Sequence, residues 1–197
     1  MRILLIVAWL FVGLGGAIFH FGPGQEMLEI DRVNQIIKDA RVAVADENWS
    51  GAVEKYEEVL SAMPVDKTAE SRAITLEKAK AQMMNAELPK ARQTLETLLV
   101  NSRADEESDT RFVAEVQSTL ANSQYYMTWL MRLEGLPEEE WMPEIEAARQ
   151  HYTQLTQTAK ELGDSELQQR SSEDLESAIR LARMDLGDLQ ALPLPSQ

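Results

Sequence analysis

The chain opens on an unbroken apolar run and then changes to apolar residues spaced for helices. MRILLIVAWLFVGLGGAIFHF is apolar from Ile3 to Phe21 apart from His20. As a helix, that stretch covers roughly 28 Å, about one hydrocarbon thickness. From Met27 to about Asp46, apolar residues recur at Ile30, Val33, Ile36, Ile37, Ala40 and Val44. Spacings of three and four place them on one face of an amphipathic helix. Asp46-Glu47-Asn48 predicts a turn, with Asn48 as N-cap of a second helix. That helix would bury Ala52, Tyr56, Val59, Leu60 and Met63, and Pro64 would end it.

The same alternation continues downstream. Ala79, Ala91, Leu95 and Leu98 repeat the pattern around a turn at residues 85–88, with Pro89 suited to the first turn of its helix. A long helix is predicted from about Ser108 to Glu134, stopped by Gly135-Leu136-Pro137. Another is predicted from Pro143, burying Ile145, Ala148, Tyr152, Leu155, Ala159 and Leu162, with Gly163 as its cap. Ser165 with Gln168 reads as a capping box opening a last helix to about Leu186. That helix, with Leu175, Ile179, Ala182 and Leu186, would cover the open end of a stack. No run of alternating β-branched residues competes, so the predicted class is all-α.

Small residues explain the spacing. Antiparallel helices approach closely only where side chains are small; Ala40 and Ala52 permit this, and Trp49 and Tyr56 fill the wider gaps beside them. Residues 33–64 on that basis resemble a tetratricopeptide repeat (TPR), a helix–turn–helix unit of about 34 residues. The matching positions are Ala40, Trp49, Ala52, Tyr56 and Pro64; Ile36, Asp39 and Ala43 depart from the motif in the first helix. Residues up to Arg103 carry a second copy, with about five extra residues near Val65 to Ser71. A loose third copy covers 108–162, where Ala148 and Tyr152 echo Ala52 and Tyr56.

The organisation read from the sequence is therefore a signal-anchor transmembrane helix and short hinge at 1–25, a TPR-like stack of antiparallel hairpins with a C-terminal capping helix at 26–187, and a flexible Leu/Pro tail at 188–197. Gly22-Pro23-Gly24 is the hinge. A cleaved signal peptide competes with the anchor, because Gly15 and Ala17 have the small-residue spacing of a cleavage site. Bulky apolar residues follow them, which favours an uncleaved span. Arg2 before the span and acids after it orient the domain to the periplasmic side of an inner membrane.

Charge narrows the partners. The net charge is −14; beyond residue 25 there are 18 basic and 33 acidic groups. Nucleic acid and anionic lipid headgroups should be repelled. There is no cysteine, so thiolate metal sites and cysteine nucleophiles are absent. The only histidines are His20 and His151, and no HExxH, GxSxG or GxxxxGK[ST] motif occurs. The chain is read as non-catalytic, with no cofactor and no metal. Glu138-Glu139-Glu140 reads as acids favouring a helix N-terminus rather than as a cation site.

The TPR resemblance implies a groove lined by the first helix of each hairpin. Equivalent positions are Asn34, Ile37, Arg41 and Val44 in the first unit and Ala73, Leu76, Lys80 and Met83 in the second. An apolar and a basic residue recur there, which suits a protein or extended peptide partner. The bland alternative is that Arg41 and Lys80 pair with nearby helical acids. Tyr125 and Trp129, on one stripe with Leu133, are either core or a second contact patch. The expected function is a membrane-anchored adaptor supporting an envelope complex; the alternative is a translocon-associated periplasmic chaperone for exported polypeptides.

Overall fold

Helix caps set the architecture. The computed structural model of the protein describes residues 23–64, 66–185 and 187–189, with side chains from Ile30 onward. Seven helices follow one another: α1 (Pro23–Ala45), α2 (Trp49–Ala62), α3 (Thr68–Met84), α4 (Leu88–Ala104), α5 (Thr110–Leu133), α6 (Glu138–Leu162) and α7 (Ser165–Arg183). Among the described residues there is no strand. The all-α class and the run of helical hairpins therefore stand. The apolar run 3–21 and residues 190–197 of the tail lie outside the described residues. No described helix is long and apolar enough to cross a membrane. The described residues fall into two compact units, divided between Asp66 and Lys67.

Four helix ends share one device. α1, α3, α5 and α6 each end on a residue of positive φ: Glu47 (55°), Ala86 (59°), Gly135 (75°) and Gly163 (67°). Each is followed by a backbone N–H reaching five residues back. Asn48 donates to the Ala43 carbonyl at 2.8 Å, Glu87 to Gln82 at 2.9 Å, Leu136 to Met131 at 3.0 Å and Asp164 to Ala159 at 2.9 Å. This is the Schellman closure, which satisfies carbonyls that a helix end leaves without partners. Glycine announces it at two of the four turns; Glu47 and Ala86 adopt it despite their Cβ.

The first unit is the hairpin α1–α2. Asn48 caps α2, its Oδ1 accepting from the Gly51 N–H at 3.1 Å. Ala40 and Ala52 are fully buried, with Ile36, Val53, Tyr56 and Val59 beside them. Leu60 and Met63 are half-buried. Ile30, expected on the buried face, is 53% exposed. The reason is length: α2 has 14 residues and α1 has 23, so an antiparallel α2 does not reach the start of α1. Pro23 begins α1 and Gly24 lies inside it, so the proposed hinge residues are partly helical.

The second unit holds α3 to α7 around two adjoining cores. Leu76, Ala79, Leu95, Leu98 and Leu99 join Val116 and Leu120 in the first. Tyr125, Trp141, Ile145, Tyr152, Leu155 and Leu181 dominate the second. Two boundaries differ from expectation. α6 starts at Glu138, with Pro143 inside it rather than at its head. Trp141, 7% exposed, anchors the extra turn, and the three glutamates favour its N-terminus. α7 is capped by Asp164, whose Oδ1 accepts from the Leu167 N–H at 2.9 Å. Ser165 is the first helical residue, so the expected capping box does not form; the aspartate one position earlier reaches the free N–H instead.

Arg132 closes the far end of α7. Its guanidinium donates to the carbonyls of Leu181 and Met184 and lies 4.7 Å from the Trp141 ring centroid. A cation placed there meets the negative end of the helix dipole and an aromatic face together. Burial pushes its pKa down from the ordinary value, opposed by Asp185 and Glu138.

Candidate functional site: a polar groove between first helices

α3 and α5, the first helices of two successive hairpins, line a groove of about 380 Å³ together with the last helix, α7. On α5 the lining positions are spaced by three and four: Arg111, Glu115, Ser118 with Thr119, and Asn122. On α7 Leu167, Arg170, Ser171 and Asp174 follow the same rule. α3 contributes Lys80. A helix that buries its apolar side against a neighbouring helix turns these polar residues to the other side.

Lys80 ties α3 to α5. Its Nζ donates to Glu115 Oε1 at 2.7 Å and to Glu77 Oε1 at 2.8 Å. Burial alone would lower the Lys80 pKa, but the Glu115 and Glu77 hydrogen bonds outweigh it and hold the ammonium above its ordinary value. Thr119 Oγ1 donates to its own helix, at the Glu115 carbonyl. Asn122, 8% exposed, accepts at Oδ1 from the Tyr152 hydroxyl at 2.8 Å. Burial raises the Tyr152 pKa well above the ordinary phenol value, and the Asp174 carboxylate adds to it. Tyr125 is pushed up to about 12, by burial first, with contributions from Tyr126 and Asp174. Both phenols therefore stay neutral at physiological pH; Tyr152 donates to Asn122, and both rings pack in the core.

The residues singled out from the sequence scatter. Lys80 lies in the groove, paired with helical acids as the bland reading held. Leu76 is 2% exposed and belongs to the core, so it is not available to a partner. Met83 packs, partly buried, against that core. Ala73 is exposed on α3. Asn34 and Arg41 are exposed on α1, and Ile37 and Val44 are half-buried there. Tyr125 is fully buried and is core, not a contact patch. Trp129 is half-buried and its Nε1 donates to the Leu189 carbonyl at 3.4 Å, so the chain's own C-terminal segment covers its edge.

Arg111, Glu115, Ser118, Arg170 and Asp174 escaped the sequence reading. Their signal was a polar stripe at helical spacing on the side of α5 and α7 away from the apolar one. Among the described residues, no group of three or more His, Asp or Glu side chains is placed to hold a metal ion. His151 lies on α6 outside the groove, its pKa lowered by burial and by the Arg103 charge. Comparison with known proteins finds no matching family model and no matching curated protein.

Proposed function

We propose that the protein is a non-catalytic adaptor built of TPR-like helical hairpins. In this reading residues 3–21 hold it in a membrane, and a protein segment or extended peptide occupies the groove of α3, α5 and α7. The observation that carries the reading is the lining of that groove. Beside Ala114 and Leu167, its side chains are hydroxyls, an amide and charges with reach for a peptide backbone. The Schellman turn recurring between the two helices of all three hairpins, after α1, α3 and α5, supports the repeat reading.

A photo-crosslinking residue at Ser118, in the groove, and another at Gln93, exposed on α4, would test this in the full chain in its native membrane. The expected result is a protein adduct from position 118 and none from position 93. Adducts of equal yield from both, or none from 118, would overturn the groove. One adduct of defined mass supports an adaptor; a smear of many masses supports a chaperone. A reporter fused after Gln197 is expected to read the extracytoplasmic side, and cytoplasmic activity would reverse the orientation.

A further inference from the structure

Away from the groove, a second polar cluster lies where α4, α5 and α6 meet. Arg103, in the last turn of α4, donates through Nη2 to Gln117 Oε1 on α5 at 2.7 Å and to Gln154 Oε1 on α6 at 3.2 Å. Gln117 Nε2 donates in turn to Gln154 Oε1 at 2.9 Å and to the His151 carbonyl at 3.2 Å. One guanidinium and two amides thus join three helices, and the arginine is the part that α4 supplies. His151 stands one turn before Gln154 on α6. Its ring is half-buried, and Nδ1 is closed off from water with no hydrogen-bond partner among the described residues.

We propose that His151 makes this junction acid-sensitive: a proton on its ring releases the last turn of α4 from α5 and α6. The junction lies outside the proposed groove, and its control is independent of what binds there.

A neutral imidazole can carry its one proton on Nε2 and leave only a lone pair at the enclosed nitrogen. An imidazolium carries a proton on both nitrogens, so Nδ1 becomes a buried charged donor without an acceptor. The neighbouring helices make this worse. α4 faces the ring with the Arg103 cation, and α5 with the uncharged Gln117. On α6 itself Arg149 is paired with Glu146, and Glu144 lies against Arg92 of α4. Among the described residues, no carboxylate on these helices or on α7 offsets a charge at His151. Burial and the Arg103 charge together hold its pKa below the ordinary value.

The arginine is the member that gives way. Its acceptors are neutral amides, which water replaces readily once α4 moves. α5 and α6 are instead held together by Tyr125, Ile145, Tyr152 and Leu155, which the new charge does not disturb. An open junction returns the ring to water, where its pKa is about 6.5. The closed form is therefore fully favoured above about pH 6.5 and loses ground as pH falls below it, because the open form binds the extra proton.

Hydrogen exchange of the full chain in detergent micelles tests this at about pH 7.5 and about pH 5, on either side of the histidine range. Protection factors remove the intrinsic pH dependence of exchange. Amides 101–104 are expected to lose protection several-fold at the lower pH, while amides 118–125 within α5 keep theirs. His151→Gln, uncharged at both pH values, should abolish the loss. His20→Gln, which alters the other histidine, should leave it. Independently of any variant, the His151 ring followed by NMR should titrate over the same pH range as the loss of protection. Unchanged protection at the lower pH, a loss spread evenly over all helices, or a loss that survives His151→Gln would overturn the proposal. So would abolition by His20→Gln, or a loss complete before the His151 ring titrates.

Discussion

Two parts of the second unit bury their helices by different means. Where α3, α4 and the first half of α5 meet, the seam is mainly aliphatic: Leu76, Leu95, Leu98, Leu99, Val116 and Leu120 are all within 5% of full burial, and of the polar residues buried there Gln82 Oε1 and Ser102 Oγ find no hydrogen-bond partner among the described residues. Where the second half of α5 meets α6 and α7, more polar groups are buried, and Asn122 and Arg132 bond from one helix to another. Asn122, Thr128, Arg132, Ser171, Asp174 and Ser177 are each at most 9% exposed. An aliphatic seam fixes distance and volume but accepts small shifts of one helix along another. A polar seam also fixes register, because a shifted donor loses its acceptor. The groove lies beside the polar seam, and Asn122 and Asp174 belong to both. The groove wall and the α5–α6–α7 core are therefore set by the same residues.

The sharpest way to probe the contrast is to damage each seam in turn. Leu95→Ala opens a cavity at a fully buried position of the aliphatic seam and should cost about 2–5 kcal/mol, read by urea denaturation. The helix pairing should survive at low denaturant, because no register-setting bond is lost. Arg132→Met keeps a long apolar stem but removes the donors to Leu181 and Met184 and the cation over Trp141. About 2–3 kcal/mol is expected there, with faster hydrogen exchange confined to α7. Loss spread evenly over all helices would mean that α7 is not held separately by this residue.

Alkaline pH tests the polar seam without a substitution. Three of the four tyrosines, Tyr125, Tyr126 and Tyr152, lie there. The folded pKa of Tyr125 stands at about 12 and that of Tyr152 is raised well above the ordinary phenol value, so the native state holds phenol protons that the unfolded chain gives up near pH 10. The native state then binds more protons, and stability falls as pH rises from about 10 to 12. It is fully present below pH 10. The Tyr125 contribution is on the order of 2 kcal/mol, and ultraviolet phenolate absorbance should appear together with loss of helical circular dichroism. Phenolate formation well before unfolding would contradict the burial. A smaller effect is expected from Tyr152→Phe, which strands the Asn122 oxygen at a cost of about 1–2 kcal/mol.

The smallest expected change is a gain. Ala86 occupies left-handed backbone at φ 59° in the turn of the aliphatic hairpin, where Gly135 and Gly163 occupy the same turn position after α5 and α6. Ala86→Gly should raise stability by roughly 0.5–1 kcal/mol, since relief of the Cβ clash exceeds the entropy a glycine adds to the unfolded chain. A thermal melt unchanged or lowered would show that the strain is absorbed elsewhere.

Much of this plan could be read in the residues. Ala40, Ala52, Ala79, Ala91 and Ala148 are all fully buried, as small residues at helix crossings should be. Asn48 and Gly163 cap where they were placed, because capping depends on a few neighbouring residues and little else. What was misread depended on distant partners. The start of α6 was taken to be Pro143, which fits a first turn locally, whereas Trp141 gains enough by burial to extend the helix past it. Leu76 and Tyr125 were candidates for a partner's surface because periodicity marks a face as apolar without saying what covers it. The groove was missed for the opposite reason: Arg111 and Arg170 lie 59 positions apart and share a site only because α5 and α7 follow one another in the stack.

Local rules thus determined the helices, most of their ends, the small residues at their crossings and the excess of negative charge. These follow from the period of the backbone and from groups within a turn or two of each other. Tertiary packing alone decided which apolar faces are covered and which cations are already spent on acids. It also decided that polar stripes on α5 and α7 and a lysine from α3 line one groove. Those outcomes depend on distances between residues far apart in the chain, and a sequence carries them only through the fold it adopts.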